Sequence, residues 1–351
     1  MQPDSSSRLD TTPDSTLWWR RLSPALFVWP LVVALLWWVL RSVSLSDLWA
    51  VLKHLGGLQI LALLALNALI AFAFGWRWWL VLRALGYKLS YPLLASYQLV
   101  CSSISYFTPG PHFGGEPLQV YLLSRRHAVP VPLATASVAL DKLLEVLVNF
   151  SFLVAGVAIT LQSQVAPGAL SQGGAAVAVA LLIVPLAFLG LLYAGKRPIS
   201  GLAARLPGWL RPRDSLLKVV EETEDHAIRA CREHPGLIAA AVSGSVVIWG
   251  AMFLEFWLST LFLGLSLTWV QLVCIVTVAR VALLLPSPGG LGTLEAGQVL
   301  MMQWLGLDPA VGLALSLLIR ARDILFGIIG LMWGTWLIGG WQILWGRQVS
   351  E

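Results

Sequence analysis

Two short segments narrow most what this chain can fold into: Pro286–Glu295, PSPGGLGTLE, and Phe107–Glu116, FTPGPHFGGE. Each lies inside a long apolar region and each ends in a glutamate. Glycine and proline at this density break a helix. Inside a bilayer, broken backbone persists only where protein buries it or where it lines a wet cavity. A carboxylate at that depth is costly and points to function. The chain therefore reads as an all-α polytopic membrane protein with two matching interruptions.

Composition agrees. Charged residues make up 12% of the 351 residues and hydrophobic ones 58%, whereas soluble domains carry about 25% charge. Several apolar runs reach the ~20 residues a crossing needs. Many of the tryptophans fall at run ends (Trp18, Trp19, Trp37, Trp38, Trp78, Trp79, Trp341, Trp345), as interfacial anchors do. The net charge of +5 is expected to reflect positively charged cytoplasmic loops. No basic stretch with interleaved aromatics offers a groove for nucleic acid. Cys101, Cys231 and Cys274 are widely spaced with no CxxC, which argues against a disulfide framework or a zinc site. There is no HExxH, P-loop, GxSxG or dinucleotide fingerprint, so no metal, cofactor or enzymatic activity is expected.

Residues 1–16 are polar and read as a disordered tail, and 17–345 as a single transmembrane domain. A signal peptide is the rival reading of the first apolar run, 24–40. The absence of an A-x-A-like site and the pair Arg20–Arg21 favour a cytoplasmic anchor. Further runs span about 58–76, 91–107, 131–161, 175–194, 235–263 and 269–285. The last, 309–345, is too long for one straight crossing and is expected to tilt or break near Arg320–Asp323. The polar linker 196–234 contains Leu216, Val219, Val220, Thr223 and Ala227 at helical spacing. They predict an amphipathic helix on the membrane surface or a solvated linker helix.

The two interrupted regions align with each other. LGYKLSY at 85–91 matches LGLSLTW at 263–269, an offset of 178. After one insertion the offset becomes 179: Pro109–Gly110 meets Pro288–Gly289, Glu116 meets Glu295, and Asp141 meets Arg320. Repeat one is about 58–161 and repeat two about 236–345, with Lys196–His234 as a cytoplasmic linker carrying eight Lys/Arg. Arg83 and Lys88 precede the first interruption and Arg125–Arg126 follow it, so both ends face the cytoplasm. The second interruption has uncharged Gly264–Thr268 before it and only Asp308 near its far end, and reads as the same device entered from outside. The resulting topology has about six full spans plus two re-entrant helical hairpins, with the repeats inverted. The hairpin turns are Pro109, Gly110, Gly114 and Gly115, and Pro288, Gly289, Gly290 and Gly292. Eight plain spans are the rival arrangement, and would place Arg8, Arg20 and Arg21 outside.

The ionisable residues at membrane depth are Glu116, Asp141, Lys142 and Glu145 in repeat one, and Arg280, Glu295, Arg320, Arg322 and Asp323 in repeat two. An unpaired ion in hydrocarbon costs at least about 2.5–3.5 kcal/mol, so these near-balanced sets should pair in a shared interior. Asp141 and Glu145 share one helix face, as do Arg320 and Asp323. The spacing lets these two faces meet each other and the hairpin tips. The plain alternative is that the pairs only hold the bundle together. The functional reading is a binding site for a charged headgroup: acids for an amine or sugar hydroxyls, arginines for phosphate. Arg77 reads as a snorkelling interfacial residue, although it aligns with Glu255 at offset 178. His112 reads as a hydrogen-bonded loop histidine.

At PSPGGLGTLEAG, FTPGPHFGGEP and ALDKLLEVLV the chain resembles the lysylphosphatidylglycerol synthase transmembrane family, over about residues 25–345. This is a flippase-type membrane domain that also occurs as stand-alone bacterial and archaeal proteins. Glu116, Glu295 and the Arg320–Asp323 cluster match that family's motif positions, while the Pro-His-Phe insert of the first motif departs from it. The resemblance implies movement of a lipid between leaflets. Members that make the aminoacyl lipid carry a soluble synthase domain after the membrane part. This chain stops at Glu351, so synthesis is expected of a separate lipid-synthesising enzyme.

The leading expectation is an integral membrane lipid translocase in the bacterial cytoplasmic (inner) membrane, with a cytoplasmic N-terminus. It would take a membrane lipid as substrate, bind no nucleic acid, and be free to form a homo-oligomer. The alternatives are an ion-coupled transporter of a small solute and a membrane enzyme acting on a lipid-linked substrate. For the last, Glu116 and Glu295 would serve as acid and base.

Overall fold

The computed structural model describes residues 55–107, 114–163, 171–205, 213–285 and 290–338, with Ser46, Trp49, Lys53 and Pro207. The tail 1–16, the run 24–40, Pro109, Gly110, His112, Pro288, Gly289 and the segment 339–345 lie outside the described residues. So do the tryptophans expected as anchors at both chain ends and most of the loop between repeat one and the next span.

Every described element is an α-helix. In order they are α1 (Gly57–Ala84), α2 (Tyr91–Phe107), α3 (Glu116–His127), α4 (Val131–Gln162), α5 (Ser171–Tyr193), α6 (Pro198–Ala203), α7 (Asp214–Glu233), α8 (Pro235–Phe262), α9 (Trp269–Leu284), α10 (Thr293–Trp304) and α11 (Pro309–Ile338). Four of them, α1, α4, α5 and α8, are long and apolar enough to cross a membrane. By contrast α3 and α10 have 12 residues each, about 18 Å at 1.5 Å per residue, well short of a ~30 Å hydrocarbon core. Large apolar side chains remain exposed on the outer faces, among them Phe72, Val184, Val247 and Met332. A water-facing surface would not favour so many, whereas a lipid-facing one does.

Prolines open α4, α6, α8 and α11 within their first two residues, where the missing N–H costs nothing. Glycines in the left-handed region close α1 and α8. Gly86 has φ 83° and Gly264 φ 84°, a conformation that Cβ-bearing residues rarely adopt. The same cap follows in each. Tyr87 donates to the Leu82 carbonyl at 3.1 Å, and Leu265 donates to that of Thr260 at 2.9 Å.

Of the apolar cores that result, two bind the halves together. One joins α1 to α4 around Trp78, Leu94, Tyr97 and Leu122. The other joins α8 to α11 around Ile275, Met302 and Leu315. The helices then interlock: α1 packs along α8, α2 along α11, and α9 along α4. In lipid, such contacts rest on close packing rather than the hydrophobic effect. Gly115 supplies one: a Cβ there would strike the Cys101 carbonyl across the α2–α3 contact.

Two expectations change. The span at 309–345 does not break at Arg320–Asp323; α11 runs unbroken for 30 residues, because partners from other helices satisfy those charges. The linker helix is α7, but it turns Leu217, Ala227, Ala230 and Cys231 inward against α4 and α5. Leu216 and Val219, expected on the apolar stripe, are exposed. Its Glu224 is buried and accepts from the N–H groups of Ile199 (2.6 Å) and Ser200 (3.1 Å), capping α6.

Candidate functional site

A cavity of about 570 Å³ lies between the helices of both cores. One part of its wall is ionic and amidic: Arg77, Gln98, Glu116, Gln119, Asp141, Lys142, Glu145, Asn149, Arg280, Arg322 and Asp323. The rest is apolar, including Ile70, Phe74, Leu99, Phe150, Trp249, Phe256 and Phe326. Long helices deliver most of the charges to the interior, so their backbones are already satisfied and only the side chains need partners.

The centre of the first half is Arg77. Its Nε donates to Asp141 Oδ1 at 2.7 Å and its Nη2 to Asp141 Oδ2 at 2.9 Å, while Nη2 also reaches Glu145 Oε2 at 2.9 Å. This fork geometry is what guanidinium provides and an ammonium lacks. With 1% of its side chain exposed, Arg77 is not the snorkelling residue expected; its head points into the bundle, where Asp141 and Glu145 stand one helical turn apart. Lys142 bridges Glu116 (3.3 Å) and Glu145 (3.4 Å), tying α3 to α4. Glu116 also accepts the Gly114 N–H at 2.7 Å, and Gly115 donates to Ser105 Oγ at 2.9 Å. Gln119 donates to Gln98 Oε1 at 2.7 Å across the α2–α3 contact.

The second half is built on α11. Arg322 pairs with Glu255 of α8 and with Asp323 (2.7 Å), and its Nη1 donates to Asn67 Oδ1 at 3.2 Å. Asn67 in turn donates to Glu255 Oε1 at 2.9 Å, leaving Glu255 Oε2 buried with no hydrogen-bond partner among the described residues. Arg320 and Glu295 pair with each other and do not line the cavity. Arg320 Nη2 donates to Glu295 Oε2 (3.0 Å) and to the Gly290 carbonyl (2.7 Å). Glu295 Oε2 also accepts the Gly292 N–H at 2.8 Å. This pair therefore anchors the broken backbone that starts α10.

The geometry divides the expected residues. Glu116, Asp141, Lys142, Glu145, Arg280, Arg322 and Asp323 meet at one cavity, whereas Glu295 and Arg320 form a buried brace beside it. The α4 and α11 charges each take a partner from a long helix of their own half, Asp141 from Arg77 and Arg322 from Glu255. Of the turn residues, Gly114 and Gly115 adjoin Glu116, and Gly290 and Gly292 bond the Glu295–Arg320 pair. Arg77, Glu255, Asn67, Gln98, Gln119 and Asn149 were not expected as site residues. Only the Arg77–Glu255 alignment at offset 178 signalled any of them. Among the described residues no three His, Cys, Asp or Glu side chains cluster as a metal site would.

Comparison with known proteins gives two findings. The model of the "Lysylphosphatidylglycerol synthase TM region" family matches residues 22–330. The chain is similar to the UPF0104 membrane protein MJ1595 of Methanocaldococcus jannaschii, with 24% identity over 289 residues, covering 80% of this chain and 85% of that one. It is also similar to a UPF0104 membrane protein of Methanothermobacter thermautotrophicus, with 23% identity over 284 residues, covering 77% and 82%. No solved structure matches.

Proposed function

We propose that this chain, which belongs to the lysylphosphatidylglycerol synthase TM region family, is a lipid translocase that moves a phospholipid or lipid-linked headgroup between leaflets. The observation that carries the reading is the two-faced cavity of about 570 Å³. Its ionic wall suits a polar headgroup and its apolar wall suits the start of the acyl chains. Both occur inside a protein whose described residues include four helices long and apolar enough to cross a membrane. Arg77, Lys142 and Arg322 with their carboxylates form the polar lining, and translocation needs no bond made or broken.

We further propose that the bundle is an inverted repeat in which α2–α3 and α9–α10 are re-entrant hairpins. Four observations support this. The caps at Gly86 and Gly264 agree bond for bond. Exchanging α1–α4 with α8–α11 preserves the packing: α2 on α11 becomes α9 on α4. The buried ion pair recurs with its signs reversed, Arg77–Asp141 between α1 and α4, Glu255–Arg322 between α8 and α11. The shortness of α3 and α10 fits helices that enter and return. Inverted repeats with broken helices are a common way to build alternating access.

Mass spectrometry of lipids retained by the purified protein tests the reading. A phospholipid or lipid-linked sugar enriched over the bulk membrane is expected. Retention no different from bulk, together with saturable uptake of a small solute into vesicles, would overturn it.

A further inference from the structure

Arg280 differs from every other cation in the cavity wall. Arg77, Lys142 and Arg322 each hold at least one carboxylate. Arg280, on α9, forms no salt bridge among the described residues. Among the described residues its Nη2 donates a hydrogen bond only to the Met252 sulfur, at 2.8 Å, and its Nε is buried with no hydrogen-bond partner. Its guanidinium lies 4.5 Å over the Trp249 ring, which Phe152 stacks against from 4.7 Å. The nearby acids hold other cations, Glu145 with Arg77 and Lys142, Glu255 (through Oε1) and Asp323 with Arg322, and none of them forms a salt bridge with Arg280 among the described residues. An aromatic face and a thioether attract a cation weakly and cannot neutralise it. A buried charge with no carboxylate bonded to it is unfavourable, and a guanidinium lining a cavity is the group best shaped to take phosphate by its fork. Asn149, one turn beyond Glu145, lines the same cavity, and no described residue bonds its amide.

We propose that Arg280 is the phosphate-binding residue of this cavity, held ready by Trp249 and Met252, and that it takes the anionic phosphate ester of the transported headgroup. This rests on the lipid-translocase reading above. The neighbouring ion pairs then set the cavity's polarity, and Arg280 supplies the charge that the cargo neutralises.

The test is calorimetric titration of the purified full-length protein in detergent with three probes. These are dihexanoylphosphatidylglycerol, phosphate-free dihexanoylglycerol, and glycerol phosphate. The wild type is expected to prefer the phospholipid to its phosphate-free counterpart by roughly tenfold or more, as one charge-assisted contact allows. Arg280→Gln is expected to lose that preference and Arg280→Lys to keep part of it. If Arg280→Gln does not fold, Arg280→His decides: its preference should appear near about pH 5.5 and vanish by about pH 8, following the imidazolium charge. Unchanged preference in Arg280→Gln, or a pH-independent Arg280→His, would overturn the proposal and leave Arg280 a packing residue. Glycerol phosphate binding as tightly as the phospholipid, with the same dependence on Arg280, would uphold the phosphate site and instead sink the lipid reading.

Discussion

Arg77 on α1 and Asp141 on α4 meet through two parallel hydrogen bonds, 2.7 and 2.9 Å long, with the arginine side chain 1% exposed. The pair is 64 residues apart in sequence and joins two of the helices able to cross a membrane. Removing one partner strands a buried charge, which costs about 3–5 kcal/mol. Arg77→Ala and Asp141→Ala should each lower the thermal unfolding midpoint sharply in detergent. The double variant Arg77→Met with Asp141→Leu should recover most of the loss, because it removes both charges. Strictly additive losses would mean that the two side chains are not coupled.

Glu295 and Arg320 govern a segment rather than the cavity. The glutamate holds the Gly292 N–H, and the arginine holds the Gly290 carbonyl. Glu295→Gln or Arg320→Ala should therefore loosen the start of α10. Lipid movement in reconstituted vesicles is expected to slow by roughly tenfold, as loss of one charged hydrogen bond would allow. Membrane insertion, followed by fractionation, should persist. Wild-type kinetics in both variants would remove the pair from the mechanism.

The re-entrant arrangement makes a topological prediction. Lys88 and Arg126 are exposed at the two ends of α2–α3, and Ser266 and Asp308 at the two ends of α9–α10. The native cysteines are buried, so single cysteines introduced at these positions should dominate labelling by an impermeant maleimide. Lys88→Cys and Arg126→Cys should label from one side of the membrane, and Ser266→Cys and Asp308→Cys from the other. Opposite sides within either pair would replace the hairpins with full crossings.

Gly115 permits the close approach of α3 to α2. A side chain there meets the Cys101 carbonyl and, at 2.9 Å, Ser105 Oγ. Gly115→Val should cost about 1–3 kcal/mol through overpacking and displace Glu116 from Lys142. Both a lower unfolding midpoint and slower lipid movement are expected. An unaltered midpoint would show that the α2–α3 contact is looser than its geometry implies.

Helix positions were largely legible because apolar run length and proline placement determine them locally: Tyr91–Phe107 is α2 to the residue, and Trp269 opens α9. Pairing was not legible. Arg77 sits among tryptophans near a run end, the usual setting of an interfacial arginine, and only tertiary packing turns it toward Asp141. Glu255 lies in an otherwise apolar helix, and nothing local shows that Asn67 and Arg322 await it. The charges at 320–323 suggested a break for the same reason: their partners come from α10, α8 and α1, beyond the reach of any local pattern. The separate fates of Glu116 and Glu295, one lining the cavity and one bracing a turn, depend on three-dimensional placement that their aligned motifs do not encode.

On the translocase proposal, a headgroup crosses through the cavity beside Asn149 and Arg280. The most direct test is a dithionite accessibility assay on vesicles containing a fluorescently labelled phospholipid, with wild-type protein and with Asn149→Trp, which fills the cavity without removing a charge. Wild-type protein should expose the inner-leaflet label, and Asn149→Trp should return exposure to the protein-free rate while keeping the wild-type unfolding midpoint. Equal exposure by wild type and Asn149→Trp, or none by either, would rule out passage through this cavity.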